Sequence, residues 1–168
     1  PDLPQGVEED LLRGGYHFAR FGNDSNAPRV TLLGSGAILT EVVKAAQALA
    51  QEGIASDVYS ITSWSELARD GIACEQAALA EGQQASEAFI TQLLSRSQGP
   101  VIAATDYVRA VPEQVRAFMP EGRRYLTLGT DGFGRSDTRA ALRRYFQVDA
   151  NSVARAAKTL VGLERPAA

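Results

Sequence analysis

The 168-residue sequence has one cysteine, Cys74, and one histidine, His17. A lone cysteine excludes an internal disulfide and fits a reducing compartment. The same scarcity argues against a protein-only zinc site, which normally takes four ligands from cysteine and histidine. No run approaches the ~20 consecutive apolar residues needed to span a bilayer, and the amino terminus lacks the basic-then-apolar order of an export signal. The expected location is therefore cytoplasmic, with no membrane partner. Lysine and arginine number 17 against 20 acids, a formal net charge of −3. With no basic stripe, there is no electrostatic case for nucleic acid.

Catalytic sets are missing as well. There is no Gly-Lys-Ser/Thr pair for a phosphate loop. Gly34-Ser35-Gly36-Ala37-Ile38-Leu39 follows an apolar run, but Leu39 replaces the third glycine of a dinucleotide fingerprint. The ribose-binding acid should close the next strand, whereas Asp57 opens it and residues 60–63 close it. That leaves a small anion on the helix start after Gly36, or simply a tight turn with close helix packing. Ser-His-Asp chemistry would rest on His17, which lies in no nucleophile-elbow pattern and reads as a strand-surface residue. Cys74 reads as helix packing, and Trp64 as core or interface. No catalytic, cofactor-binding or metal residue is assigned.

Hydrophobic residues make up 45% and charged residues 22% of the chain, values ordinary for a globular domain. This length fits one domain able to bury about 70% of its unfolded surface. Residues 1–13 are acidic, carry two prolines and read as a linker with a short helical turn at Glu8–Leu12; residues 14–168 form the domain. The chain opens on Pro1 without methionine, which fits a processed chain or a piece of a longer polypeptide.

From Gly14 the pattern alternates. Residues 16–21 form a strand in which Tyr16, Phe18 and Arg20 share one face and His17 the other. The turn-rich 22–26 should return it as an antiparallel hairpin onto a strand at 30–33. A helix carries Ile38, Leu39, Val42, Val43, Ala46, Leu49 and Ala50 inward and ends at Gly53. Residues 57–61 are a strand, and Ser63-Trp64-Ser65-Glu66 is a capping box for the next helix. Residues 71–85 read as a helical excursion broken by Gly82, and residues 86–95 as a helix. Val101–Ala104 is a central strand. Pro112 takes a first helical position, Tyr125–Leu128 is the last strand, and Ala141, Leu142, Tyr145 and Phe146 line the next helix. Asp149 or Asn151 starts a final one. The fold class is α/β: a mixed five-stranded sheet, first strand antiparallel at an edge, crossovers right-handed.

The four parallel strands all end in small or polar residues, which must share one edge. The most distinctive end is Leu128-Gly129-Thr130-Asp131-Gly132-Phe133-Gly134-Arg135-Ser136-Asp137-Thr138-Arg139. Ser136 can cap the following helix with Asp137 in its first turn. One reading is a tight turn whose polar groups satisfy backbone donors. The other is that Asp131, Arg135 and Asp137 form a charged cluster where open sheets place ligands or partners. The candidate interface or regulatory residues are Ser35, Gly36, Thr105, Asp106, Asp131, Phe133, Arg135, Ser136 and Asp137, with Ser35, Thr105, Asp131 and Arg135 converging.

LGSG (33–36), SDVYSITSWSELARDG (56–71), ATDY (104–107) and LGTDGFGRSDTRAALRRYFQVDA (128–150) resemble the carboxy-terminal domain of the homodimeric pyruvate dehydrogenase component, of the thiamine diphosphate-dependent transketolase superfamily. The resemblance covers residues 14 to about 161 and implies a three-layer α/β/α domain. It also implies that other domains hold thiamine diphosphate and magnesium, decarboxylate a 2-oxo acid and acylate lipoamide on a dihydrolipoyl acyltransferase core, in acetyl-CoA formation. This domain would support the homodimer without touching the coenzyme and would be inactive alone. Residues 75–99 lack tryptophan, histidine and internal proline where that family commonly carries an aromatic- and proline-rich segment, so a relative of pyruvate such as 2-oxobutyrate stays open as substrate. A docking or regulatory role for the carboxyl edge, toward an anion or partner, is the alternative; a stand-alone nucleotide-binding protein is disfavoured.

Overall fold

In the computed structural model, which describes residues 3–164 apart from Gln83 and Ala85, five strands share one sheet. They are β1 (Gly15–Phe21), β2 (Arg29–Ser35), β3 (Ala55–Ile61), β4 (Val101–Ala104) and β5 (Tyr125–Leu128), in spatial order β1-β3-β2-β4-β5. Only β1 runs antiparallel, against β3. The helices are α1 (Glu8–Leu12), α2 (Leu39–Gln51), α3 (Trp64–Glu81), α4 (Phe89–Leu94), α5 (Ala110–Glu113), α6 (Arg139–Tyr145) and α7 (Ala150–Glu164). Positions 1–2 of the expected linker, 83 and 85 of the expected helical excursion, and 165–168 lie outside the described residues.

Strand alternation builds the three layers. Val30, Leu32, Val58, Ile102 and Ala104 face α2 and α7 on one side of the sheet. Leu33, Tyr59, Ile61, Val101, Ala103 and Tyr125 face α3 and α4 on the other. α3 lies close because Gly71 has no Cβ; one there would sit 2.5 Å from the Phe118 ring. Ser63 caps α3 by accepting from the Glu66 N–H, and Gly82 ends it in the left-handed region.

Several expectations are corrected. β1 makes no hairpin with β2: both edges of the buried β2 are taken, by β3 and β4, so β1 pairs outside β3. Its alternation breaks at a bulge between His17 and Ala19. The extra residue turns His17 and Arg20 to one side, where both reach Asp57, and Phe18 packs with Phe21 on the α2 side. His17 is thus no simple surface residue. Asp57 is the third residue of its strand. Pro112 is third in α5, a place where the missing N–H is still not needed. α4 starts only at Phe89. Tyr145 is half exposed, and α6 has no fully buried residue.

α6 and α7 are held to α2 through Glu41, which is 7% exposed. Its carboxylate accepts from Arg143 Nη1 (2.9 Å), Lys44 Nζ (3.1 Å) and the Ala150 N–H (3.1 Å). Burial alone would raise this carboxyl; the bonds from Lys44 and Ala150 and the Arg143 charge outweigh it and hold it below the usual range. Glu41→Gln keeps an acceptor for Ala150 but forfeits two charge-assisted bonds. The expected loss is about 1–2 kcal/mol in urea denaturation at neutral pH, and an unchanged midpoint would contradict it.

Candidate functional site

The carboxyl ends of β2, β3, β4 and β5 do lie along one edge, and small residues let their loops pack closely. Ser35 Oγ donates to Thr105 Oγ1 at 2.8 Å, with both side chains buried. Thr105 Oγ1 also accepts from the Tyr107 N–H at 3.2 Å, fixing the turn that presents Asp106. Gly36 adopts φ +54°, and the Asp106 carboxylate lies 3.7 Å from where a Cβ on Gly36 would stand. These four candidates form one group at the centre of the edge.

A second group lies over β5. A Cβ on Gly129 would meet the Tyr107 carbonyl at 2.7 Å and the Arg109 N–H nitrogen at 2.9 Å, so only glycine lets the two loops touch. Thr130 joins them again, donating through N–H to the Tyr107 carbonyl (2.9 Å) and through Oγ1 to the Asp106 carbonyl (2.7 Å). Asp131 accepts from the Arg109 backbone N–H (2.8 Å) and from its Nε (2.5 Å). Arg109 holds the Asp131 carboxyl below its ordinary range, and Asp131 in turn raises the guanidinium. Sequence reasoning missed Arg109, whose partner is 22 positions away with no spacing rule to connect them.

Arg135 belongs to a third group. Its guanidinium stacks 4.1 Å from the Tyr145 ring centroid, and no ion pair joins it to an acid among the described residues. Of the expected Asp131–Arg135–Asp137 cluster, Asp131 is taken by Arg109, whereas Arg135, Ser136 and Asp137 line one cavity together; Ser35 borders a different cavity from Asp131 and Arg135. Ser136 is not the helix cap. Thr138 is, accepting from the Ala141 N–H, while Asp137 precedes the helix and accepts from the Thr138 N–H at 2.6 Å. Between them, Phe133 stands 95% exposed on a loop bracketed by Gly132 (φ +97°) and Gly134.

Several cavities open along this edge, two of them against the 130–137 loop. Another, of about 360 Å³, is lined by Arg109, Asp131, Gly129, Tyr145 and Gln147, among others. One of about 450 Å³ lies over the central group, lined also by Ser63, Trp64, Ser65 and Gln114. Trp64, read from the sequence as core or interface, is 3% exposed and borders this second cavity as well. No set of three or more His, Cys, Asp or Glu among the described residues is placed to hold a metal ion. No described helix is long and apolar enough to cross a membrane.

Comparison with known proteins agrees with this architecture. The model of the transketolase-like TK C-terminal domain matches residues 14–149. A pyruvate dehydrogenase E1 component of Cupriavidus necator is 50% identical over 151 residues, 89% of this chain and 17% of that protein. One of Pseudomonas aeruginosa is 44% identical over 159 residues, 94% of this chain and 18% of that protein. The chain thus spans under a fifth of the length of these curated relatives. A transketolase structure from Leishmania mexicana superposes with a TM-score of 0.58 at 20% identity, over 97% of this chain and 20% of that one, a likeness of fold.

Proposed function

The chain belongs to the transketolase-like C-terminal domain family, and from that premise we propose that it is the non-catalytic carboxy-terminal module of an acetyl-transferring pyruvate dehydrogenase-type enzyme. The observation that carries this reading is the 50% identity, over 89% of the chain, to a pyruvate dehydrogenase E1 component. On this reading a longer polypeptide in the cytoplasm decarboxylates a 2-oxo acid and acylates lipoamide on a dihydrolipoyl acyltransferase core. Residues 1–13 link this module to that polypeptide, and 14–168 support its homodimer. Pyruvate is the favoured substrate and 2-oxobutyrate the second.

Thiamine diphosphate and magnesium belong to the other domains in this reading. The carboxyl edge does not fit the coenzyme: the Asp106 carboxylate stands over Gly36, where a diphosphate would need bare N–H donors, and Arg109 is already engaged by Asp131.

The dimer role rests on the loop over α6. Arg135 is held by Tyr145 with its N–H donors facing no acid among the described residues, so it is free to meet a carboxylate of the second subunit. Arg135→Ala in the full-length chain should raise the dimer dissociation constant roughly fivefold in sedimentation, about 1 kcal/mol, with coenzyme affinity of the remaining dimer unchanged. Unchanged sedimentation would count against the role. A full-length chain that releases carbon dioxide from neither pyruvate nor 2-oxobutyrate would overturn the enzyme assignment itself.

A further inference from the structure

Exposed apolar surface in this domain is concentrated on one side. Five of the eight large apolar side chains exposed among the described residues, Leu12, Tyr107, Val108, Phe133 and Tyr145, lie along the carboxyl edge of the sheet. Tyr107 and Val108 follow β4, Phe133 follows β5, and Tyr145 ends α6. Leu12 reaches the same edge because β1 is antiparallel. Gly15 pairs with Ile61, the last residue of β3, and Thr62 Oγ1 donates to the Leu11 carbonyl at 2.7 Å, which seats α1 beside that strand end. A stripe of this kind marks a contact surface.

Charge along the stripe is sorted by sign. At the β1 end, Glu8, Glu9 and Asp10 fill the first turn of α1 and form no ion pair among the described residues. At the β5 end, Arg135, Arg139 and Arg144 form none either. The acids of their own loop are occupied, Asp131 by Arg109 and Asp137 by the Thr138 N–H. β1 and β5 are the outer strands, four strand spacings or roughly 19 Å apart, so the two patches of one copy stand too far apart to neutralise each other.

We propose that the carboxyl edge packs against the carboxyl edge of a second copy about a twofold axis near β2, with α1 of each copy on α6 and the 131–137 loop of the other. Opposite charges at opposite ends of one edge are self-complementary, as an isologous contact requires. The axis that brings the acids of one copy to the arginines of the other does the same in reverse. A separate domain of a longer chain would require no such symmetry. Tyr107 and Val108 lie between the patches and fall near the axis, while Leu12 and Phe133 add apolar contact at each end. Aromatic residues and arginine are the types enriched at such interfaces. This contact rests on the homodimer reading and supplies its face, its symmetry and the acids that Arg135 meets.

The test is sedimentation equilibrium of the full-length chain carrying charge reversals at exposed positions of both patches. Glu8→Arg with Glu9→Arg, or Arg139→Glu with Arg144→Glu, should each raise the dimer dissociation constant about thirtyfold or more, since like charges then face each other at both ends. All four together restore the opposition of sign and should return the constant to within about fivefold of wild type. A defect confined to the folding of α1 is not mended by changes on α6, so this rescue separates contact from structure. Dilution to monomer should speed hydrogen exchange in segments 8–13, 106–109 and 131–145. Wild-type affinity in either paired variant, loss without rescue in the combined one, or exchange changes confined to other segments overturns this face and leaves the homodimer reading standing. A wild-type chain that stays monomeric at micromolar concentrations overturns both.

Discussion

Asp57→Ala is expected to cost the fold about 3 kcal/mol, near the lower end of what breaking a buried ion pair costs. The carboxylate is 1% exposed in the middle of the sheet. It accepts from Arg20 Nε at 2.7 Å, with His17 Nε2 at 3.4 Å and Arg29 Nη1 at 3.6 Å. Without it, Arg29 is left largely buried, whereas the half-exposed Arg20 and the His17 ring recover some hydration. That recovery is why the lower end is expected. Burial alone would raise the Asp57 carboxyl; the His17 and Arg20 contacts outweigh it and hold the group below its ordinary value. The sign of the pH dependence follows. A carboxyl depressed in the folded state adds stability that is complete above the unfolded value of about 3.9 and disappears as pH falls through the lower folded value. The urea midpoint of wild type should therefore fall as pH drops through that acidic window, and Asp57→Ala should lose that part of the pH dependence. A variant within about 0.5 kcal/mol of wild type at neutral pH would show the cluster to be inert.

The same cluster marks the limit of what the sequence discloses. Elements were legible where local chemistry decides them: the Ser63–Glu66 cap, the Gly82 stop, the apolar run of β4, the start of α7 beside Asp149. The antiparallel edge strand and the common carboxyl edge were legible too, since strand–helix alternation leaves little choice. Partners set by distant residues were not. That β1 pairs with β3 depends on β2 having both edges filled, and the bulge at Phe18 reverses a period-2 pattern that reads cleanly on paper. Nor could spacing join Arg109 to Asp131, or show that Arg123 would donate to the Gly99 carbonyl (2.6 Å) and the Leu94 carbonyl (3.0 Å) across the sheet's other end. Of the nine candidate residues, the four small or polar ones at the centre assemble as a unit. In the 131–137 loop Asp131 separates because Arg109 claims it, while Arg135, Ser136 and Asp137 border one cavity with Tyr145.

Under the proposed homodimer role, Phe133→Asp in the full-length chain is expected to raise the dimer dissociation constant about thirtyfold or more, some 2 kcal/mol, as for a central interface aromatic. At 95% exposed, the ring contributes almost nothing to its own domain, so thermal stability of the domain should move by under about 0.5 kcal/mol. Burying such a ring against a second surface is worth roughly 1.5–3 kcal/mol. The loop is also anchored at both ends, by Thr130 and Asp131 on the β4 turn and by Asp137 and Thr138 at the start of α6. Anchoring keeps the ordering cost of docking small, so more of the burial energy appears as affinity. Aspartate removes the apolar surface and adds a charge that the interface would have to desolvate beside Asp131 and Asp137. Sedimentation of the variant against wild type reads the effect directly. A dimer of unchanged affinity that no longer captures the acyltransferase would transfer this surface from subunit contact to docking. An unchanged dimer with unchanged capture would leave the exposed ring without either role.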